Sequence, residues 1–158
     1  MANIVYIAMG ANLGDRRANI ARAMEMLSAT PGIEVARVAS LIETPAVGGP
    51  PNSPPYLNGA AELHTSLLPH DLLHRLLAIE AEIGRERKQK WEPRLIDLDL
   101  LFYHDQVIDQ PELKVPHPLL HTRRFVLEPL SQIAPQAIHP TLNKTIRELL
   151  AELSATGS

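Results

Sequence analysis

Residues 96–102 read Ile-Asp-Leu-Asp-Leu-Leu-Phe, and the first five alternate apolar and acidic side chains. A period of two is typical of a β-strand, whose successive side chains point to opposite faces of the sheet. The apolar residues at 96, 98 and 100 therefore face one way, and Asp97 and Asp99 face the other. By the rise per residue, the two carboxylates lie about 7 Å apart on one strand face.

The paired carboxylates of Asp97 and Asp99 predict a cation site. Like charges at this distance repel each other unless a cation lies between them. Hard oxygen ligands favour a hard cation, so Mg²⁺ is the first expectation. The alternative interpretation is an ordinary solvated strand face, which isolated Asp-x-Asp sequences often form. Asp is disfavoured in strands, however, so two on one face need a reason.

A run of cations precedes this strand, at Arg85, Arg87, Lys88, Lys90 and Arg94. Charge runs are usually solvated surface loops. Trp91, the only tryptophan of the chain, lies inside the run and suggests a planar stacking partner. Arginine can grip phosphate oxygens in a bidentate fork. Metal carboxylates beside a cationic loop together predict phosphoryl transfer, in which positioning and charge neutralisation supply most of the catalysis.

The order of predicted elements is β-α-β-β-α-β, followed by a C-terminal extension. It predicts an α+β fold with a ferredoxin-like core and an antiparallel sheet, as one domain over residues 1–158. The extension is expected to hold a short hairpin strand at 107–108 and a last helix capped by Asn143. The core elements are a strand at 4–9, a helix at 16–28 capped by Asp15, a strand at 34–41, a loop at 44–55, a strand at 57–65, a helix from Pro69 to Gly84, and the strand from 96.

The composition is that of an ordinary globular domain. The 158 residues are 45% hydrophobic and 21% charged, with a net charge of −3 and no cysteine. A nucleic-acid-binding domain is more often basic as a whole, so no nucleic-acid partner is expected. The lack of cysteine excludes disulfides and thiolate metal sites. Without a signal-like or membrane-spanning segment, we expect a cytoplasmic protein that binds no membrane. No sequence feature indicates an interface, so we expect a monomer.

Several further residues are candidates for ligand contact. Asn58 points away from its apolar strand neighbours and is predicted to share the face of the aspartates. Glu80 lies on the leucine stripe of the second helix, either at its margin or paired with a cation or ligand. His117 and Arg123 follow a proline-rich turn and could contact phosphate or sugar. For Asn58, His117 and Arg123, an ordinary surface position is the alternative interpretation.

The sequence resembles the 6-hydroxymethyl-7,8-dihydropterin pyrophosphokinases over nearly its whole length. The central motif, Trp91 to Leu101, is highly specific. The other motifs are weaker individually but occur in the order that the family has. They are residues 10–14 (GANLG), 44–48 (TPAVG), 56–58 (YLN), 84–87 (GRER), 115–118 (VPHP) and 123–130 (RRFVLEPL).

The resemblance implies that ATP and 6-hydroxymethyl-7,8-dihydropterin give AMP and the pterin diphosphate. Two Mg²⁺ ions would be held with ATP by Asp97 and Asp99, and Asp97 would also contact the pterin. Arg85 and Arg94 would assist transfer and hold phosphates. The remaining ATP contacts would be Glu80, Arg87, Trp91, Leu100, His117 and Arg123. The pterin site would use Thr44, Pro45, Val47, Tyr56, Asn58, Trp91 and Phe125.

The chain departs from the family pattern at two positions. Glu92 stands where glycine is usual, and Lys90 stands where arginine is common, which keeps charge but loses bidentate geometry. Two other functions remain open from the residues alone. One is a two-metal phosphodiesterase using Asp97 and Asp99, and the other is a non-catalytic ligand-sensing module on a ferredoxin-like fold.

Overall fold

The computed structural model of the chain describes residues 2–12, 14–45, 55–84 and 95–155. Its strands are β1 (Asn3–Ala11), β2 (Ile33–Val38), β3 (Ile42–Thr44), β4 (Tyr56–Thr65), β5 (Asp97–Tyr103), β6 (Ile108–Asp109) and β7 (Lys114–Val115). Its helices are α1 (Arg16–Ser28), α2 (Pro69–Gly84), α3 (Arg124–Ile133) and α4 (Ile146–Ala155), with a 3-10 turn at Leu120–Thr122. No helix in these ranges is long and apolar enough to cross a membrane.

The main sheet is antiparallel and has the order β2-β4-β1-β5. β3 pairs with the first residues of β4, so β2 and β3 form one interrupted edge of the sheet. With α1 following β1 and α2 following β4, this arrangement confirms the predicted ferredoxin-like βαββαβ core. The predicted cap of α1 is also confirmed, because the Asp15 carboxylate accepts the Ala18 N–H at 3.1 Å.

The predicted strand at residues 34–41 is wrong at its C-terminal end. β2 stops at Val38, and Thr44, which the sequence placed in a loop, ends β3 instead. Between them, the Ser40 N–H donates to Oε1 of Gln132 in α3 at 2.8 Å. The Ala39 N–H still donates to the Ala60 carbonyl of β4 at 2.9 Å, so the chain leaves β4 only after Ala39.

The two faces of the sheet carry separate apolar cores. α1 and α2 cover the face formed by residues such as Ile7, Leu63 and Leu98. α3 packs on the opposite face, over Ala8 and Ala60, each at most 8% exposed, and α4 packs against α3. The C-terminal extension is therefore a second helical layer on the face that also carries Asp97 and Asp99.

The C-terminal layer differs most from the sequence expectation. α3 was not predicted, because Pro129 lies inside it and proline removes a helix hydrogen bond. The predicted Asn143 cap is wrong: α4 begins at Ile146, and Thr145 and Glu148 form a reciprocal capping box. The small hairpin is confirmed as β6 paired with β7, although β6 covers Ile108–Asp109 and not the predicted 107–108.

Candidate active site

Three neighbouring strands place an amide and two carboxylates on one face of the sheet. Gly10 of β1 pairs with Asn58 of β4 on one side and with Asp97 of β5 on the other. Two residues back, Ala8 pairs with Asp99. Directly paired residues point to the same face, so these polar side chains share it. At about 4.8 Å per strand, Asn58 and Asp97 lie on the order of 10 Å apart across Gly10.

These side chains line a cleft of about 600 Å³. That volume is within the usual range of small-molecule sites. The N-terminal end of α3 and the end of β3 form its walls. The cleft brings together eight of the residues predicted from the sequence: Thr44, Pro45, Tyr56, Asn58, Asp97, Asp99, Arg123 and Phe125.

Gly10 forms the floor of the cleft between Asn58 and Asp97. A Cβ atom at Gly10 would lie 3.2 Å from Oδ1 of Asn58, which is tighter than most Cβ contacts in proteins. The absence of a side chain therefore leaves room for the Asn58 amide. It also lets a planar ligand approach the backbone of β1.

The Asn58 side chain is held in one orientation. It is 7% exposed, and its Nδ2 donates to Oγ1 of Thr44 at 2.6 Å. Its Oδ1 then lies beside Gly10, as an acceptor on the cleft side. An amide fixed in this way can read a donor on the edge of a heterocycle.

An aromatic and cationic wall closes the other side of the cleft. Phe125, at the start of α3, is 39% exposed, and the Arg123 guanidinium lies 5.7 Å from its ring centroid. This is a cation–π distance. Tyr56 supplies a second ring to the lining. Aromatic rings at a cleft can hold a planar ligand by stacking.

His117 lies beside the carboxylate strand. Its backbone N–H donates to the Leu101 carbonyl at 2.9 Å, and its Nδ1 accepts the Leu119 N–H at 3.2 Å. Burial lowers the pKa of the imidazole below its ordinary value, the Asp99 carboxylate opposes this, and the Arg123 cation adds to it. The neutral tautomer therefore carries its proton on Nε2, which makes that atom a donor.

Glu80 contacts the edge of β5 between the two aspartates. Its Oε2 accepts the backbone N–H of Leu98 at 2.6 Å. This N–H is directed to the side of β5 that does not pair with β1. Glu80 therefore fixes the backbone from which Asp97 and Asp99 project, and its predicted contact with ATP stays a prediction.

Leu100 is not brought to the cleft by its side chain, which is 5% exposed in the core under α1 and α2. Its predicted place in the nucleotide pocket stays a prediction. Five other predicted site residues lie outside the described residues: Val47, Arg85, Arg87, Trp91 and Arg94. The departures Lys90 and Glu92 also lie there.

Arg124 and Glu128 line the cleft but were not among the sequence candidates. Nη1 of Arg124 lies 3.2 Å from Oε1 of Glu128, and its Nη2 donates to Oγ of Ser154 in α4 at 2.9 Å. Their spacing of four residues is the usual signal of a helical ion pair. Because no helix was predicted over these residues, the spacing alone did not single out the pair.

Asp97 and Asp99 are the cleft residues whose chemistry best fits a metal ion. Their hard oxygens suit Mg²⁺, which usually keeps several waters and takes the rest of its ligands from substrate phosphates. In the part of the chain that the structure describes, no three His, Cys, Asp or Glu side chains are arranged to hold a metal.

Comparison with known sequences gives a consistent result. Residues 6–135 match the family model described as 7,8-dihydro-6-hydroxymethylpterin-pyrophosphokinase. A 2-amino-4-hydroxy-6-hydroxymethyldihydropteridine pyrophosphokinase of Synechocystis is 43% identical over 150 residues, covering 95% of this chain and 76% of that protein. The protein of the same name from Methylorubrum extorquens is 41% identical over 152 residues, covering 96% of this chain and 94% of the relative.

Solved structures support the fold. The wild-type Plasmodium falciparum HPPK-DHPS superposes with a TM-score of 0.74 at 16% identity, covering 98% of this chain. An HPPK-DHPS in complex with substrates gives a TM-score of 0.76 at 13% identity over 99% of this chain. This chain spans only 45% and 44% of those two longer chains. At such identities the likeness shows the fold alone.

Proposed function

Because the chain belongs to the 7,8-dihydro-6-hydroxymethylpterin-pyrophosphokinase family, we propose that it transfers diphosphate from ATP to 6-hydroxymethyl-7,8-dihydropterin in folate biosynthesis. The pterin hydroxyl oxygen forms a bond to the β-phosphorus of ATP. The bond from that phosphorus to the oxygen of the α-phosphate breaks, AMP leaves, and the hydroxyl proton is released to water. The observation that carries the proposal is the row of Asn58, Gly10 and Asp97, with Asp99 beside it, in one cleft.

Asn58 and the aromatic residues fit the pterin. The ligand is planar and has a dense edge of donors and acceptors. Oδ1 of Asn58, fixed by the Nδ2 contact with Thr44, accepts an N–H from that edge. Tyr56 and Phe125 flank the ring plane. When Asn58 binds that edge, the hydroxymethyl group at the other end of the pterin points across Gly10 toward Asp97.

Asp97 and Asp99 would hold Mg²⁺, as two ions with ATP. When bound, Mg²⁺ neutralises phosphate charge and lowers the pKa of an attached hydroxyl. Asp97 lies in the same row as Asn58, so its carboxylate faces the hydroxyl end of the pterin. Asp99 lies two residues further along the strand, toward Arg123 and His117, on the side proposed for the nucleotide.

Two hydrogen-bond donors near Asp99, Arg123 and His117, fit a nucleotide. Arg123 supplies a fixed positive charge to phosphate oxygens, and a neutral His117 donates from Nε2 to an acceptor of ATP. Glu80 and Leu100 stay proposed contacts of the nucleotide. The proposed phosphate contacts of Arg85, Arg87 and Arg94, the stacking of Trp91 and the pterin contact of Val47 rest on the resemblance of their motifs.

The deciding experiment measures AMP formation from ATP, with and without the dihydropterin and with and without Mg²⁺. We expect AMP only when both are present, and no ADP. Asp97→Asn should lower turnover by more than about a hundredfold, since electrostatic groups of this kind contribute factors of that size. Asp109→Asn is the matched control, because Asp109 is exposed and pairs with Lys114 away from the cleft.

Other outcomes would point to the alternatives. Metal-dependent cleavage of nucleic acid without AMP formation would favour a phosphodiesterase. Pterin binding without turnover, unchanged by Asp97→Asn, would favour the ligand-sensing module. The proposed cytoplasmic location and monomeric state are tested separately, by cell fractionation and by light scattering of the purified protein.

A further inference from the structure

Arg16, in the first turn of α1, contacts both chain segments that lead into the pterin side of the cleft. Its Nη1 donates to the carbonyl oxygen of Pro55 at 2.8 Å and lies 3.7 Å from Oε1 of Glu43. Pro55 directly precedes Tyr56, and Glu43 directly precedes Thr44. One guanidinium thus holds the chain neighbour of each of two residues that line the cleft.

The register of β3 and β4 makes this contact relevant to the cleft. Thr44 pairs directly with Tyr56, and Glu43 pairs with Leu57. Successive strand side chains point to opposite faces, so Glu43 faces the side of α1 while Thr44 faces the cleft. Among the described residues, Arg16 therefore acts from behind the sheet, through the backbone of these two strands.

The position of Arg16 is unfavourable for the helix itself. A cation in the first turn of a helix is repelled by the helix dipole. Arg16 nevertheless has a side chain only 28% exposed, whereas the neighbouring Arg17 is an exposed residue. The bond to the Pro55 carbonyl is charge-assisted and therefore stronger than a neutral one. The exposed pair with Glu43 contributes less.

We infer that Arg16 is a positioning residue for the pterin, and that it keeps Thr44 and Tyr56 in register at the mouth of the cleft. The inference rests on the proposed function. The Oγ1 of Thr44 orients the Asn58 amide, so a shift of β3 relative to β4 disturbs the acceptor that reads the pterin. The Asp97 side of the cleft lies on β5, which Arg16 does not contact through these bonds.

The test compares three variants in steady-state AMP formation. Arg16→Met keeps the length of the stem and removes all donors, and Arg17→Met makes the same change in charge one residue away. We expect Arg16→Met to raise KM for the dihydropterin about fivefold, the factor corresponding to one hydrogen bond, with KM for ATP unchanged. Arg16→Lys can still donate to the Pro55 carbonyl, so its KM for the dihydropterin should stay close to the wild-type value. Arg17→Met should behave as wild type.

Each outcome has a distinct meaning. An equal rise of both KM values, or the same effect in Arg17→Met, would show a general loss of charge or structure and overturn the inference. An unchanged KM for the dihydropterin in Arg16→Met would also overturn it. If Arg16→Met does not fold, a fivefold rise of that KM in Arg16→Lys would contradict the role of the Pro55 bond. Wild-type protein that forms no AMP would instead refute the proposed function.

Discussion

Replacing Gly10 by alanine tests whether the Asn58 amide reads the pterin from the position that the structure gives it. The new Cβ would lie 3.2 Å from Oδ1 of Asn58, so the amide must move by a few tenths of an ångström. That movement is opposed by the bond of 2.6 Å from Nδ2 to Thr44.

The expected effect on stability is small, because two terms oppose each other. Alanine stabilises a strand over glycine by about 0.5–1 kcal/mol. A side chain forced away from its preferred rotamer costs about 0.5–1.5 kcal/mol. The free energy of unfolding, measured in urea, should therefore change by less than about 1 kcal/mol.

The expected effect on binding is larger. Loss of one well-formed hydrogen bond to the pterin corresponds to a rise in KM of about fivefold. The measurement is AMP formation at saturating ATP in four proteins: wild type, Gly10→Ala, Asn58→Ala and the double variant. Because Asn58→Ala removes the atom that the new methyl group displaces, Gly10→Ala should change KM less than about twofold in that background. Equal factors in both backgrounds would refute the reasoning.

Two further predictions follow from buried contacts. Glu80→Ala removes the acceptor of the Leu98 N–H and should lower the free energy of unfolding by about 1–2 kcal/mol. Glu80→Gln keeps an acceptor and should lose less. Equal losses of the two variants in urea denaturation would contradict this role. Burial, with the nearby His121, lowers the pKa of His139, so the unfolded chain binds more protons near that pKa. The free energy of unfolding should reach its full value above about pH 6.5–7 and decrease as pH drops below the ordinary pKa of histidine. His139→Asn should make this decrease less steep. An equally steep profile in the variant would show that His139 is not its cause.

The βαββαβ core could be predicted from the sequence because its signals are local. The apolar stripe of α2 runs from a proline to a glycine, and α1 has its own Asp15 cap. The alternation around Asp97 gives the strand and its polar face without knowledge of the neighbours. For Asn58, alternation gave the face, but the pairing with Gly10 depends on register across three strands.

The missed elements depend on tertiary contacts. Between β2 and β3, the Ser40 N–H donates to Gln132 of α3, and neither residue signals this contact alone. α3 contains Pro129, which argues against a helix until the buried Val126 and Leu127 are seen to pack on the sheet. Propensity is a weak prior, and burial of an amphipathic face overrides it.

The C-terminal layer is what turns a sheet face into a cleft. Small residues of the sheet, Ala8 and Ala60, lie in the core beneath α3 and let the helix pack close to the strands. α3 begins at Arg124, so its N-terminal end borders the cleft that is lined by Asn58, Gly10 and Asp97. The N-terminal end of α3 also places Arg123 and Phe125 at the rim of the cleft. A ferredoxin-like sheet without this layer would present the same carboxylates on an open surface, where a metal–nucleotide pair would stay in water. Where α3 begins therefore decides how enclosed Asp97 and Asp99 are.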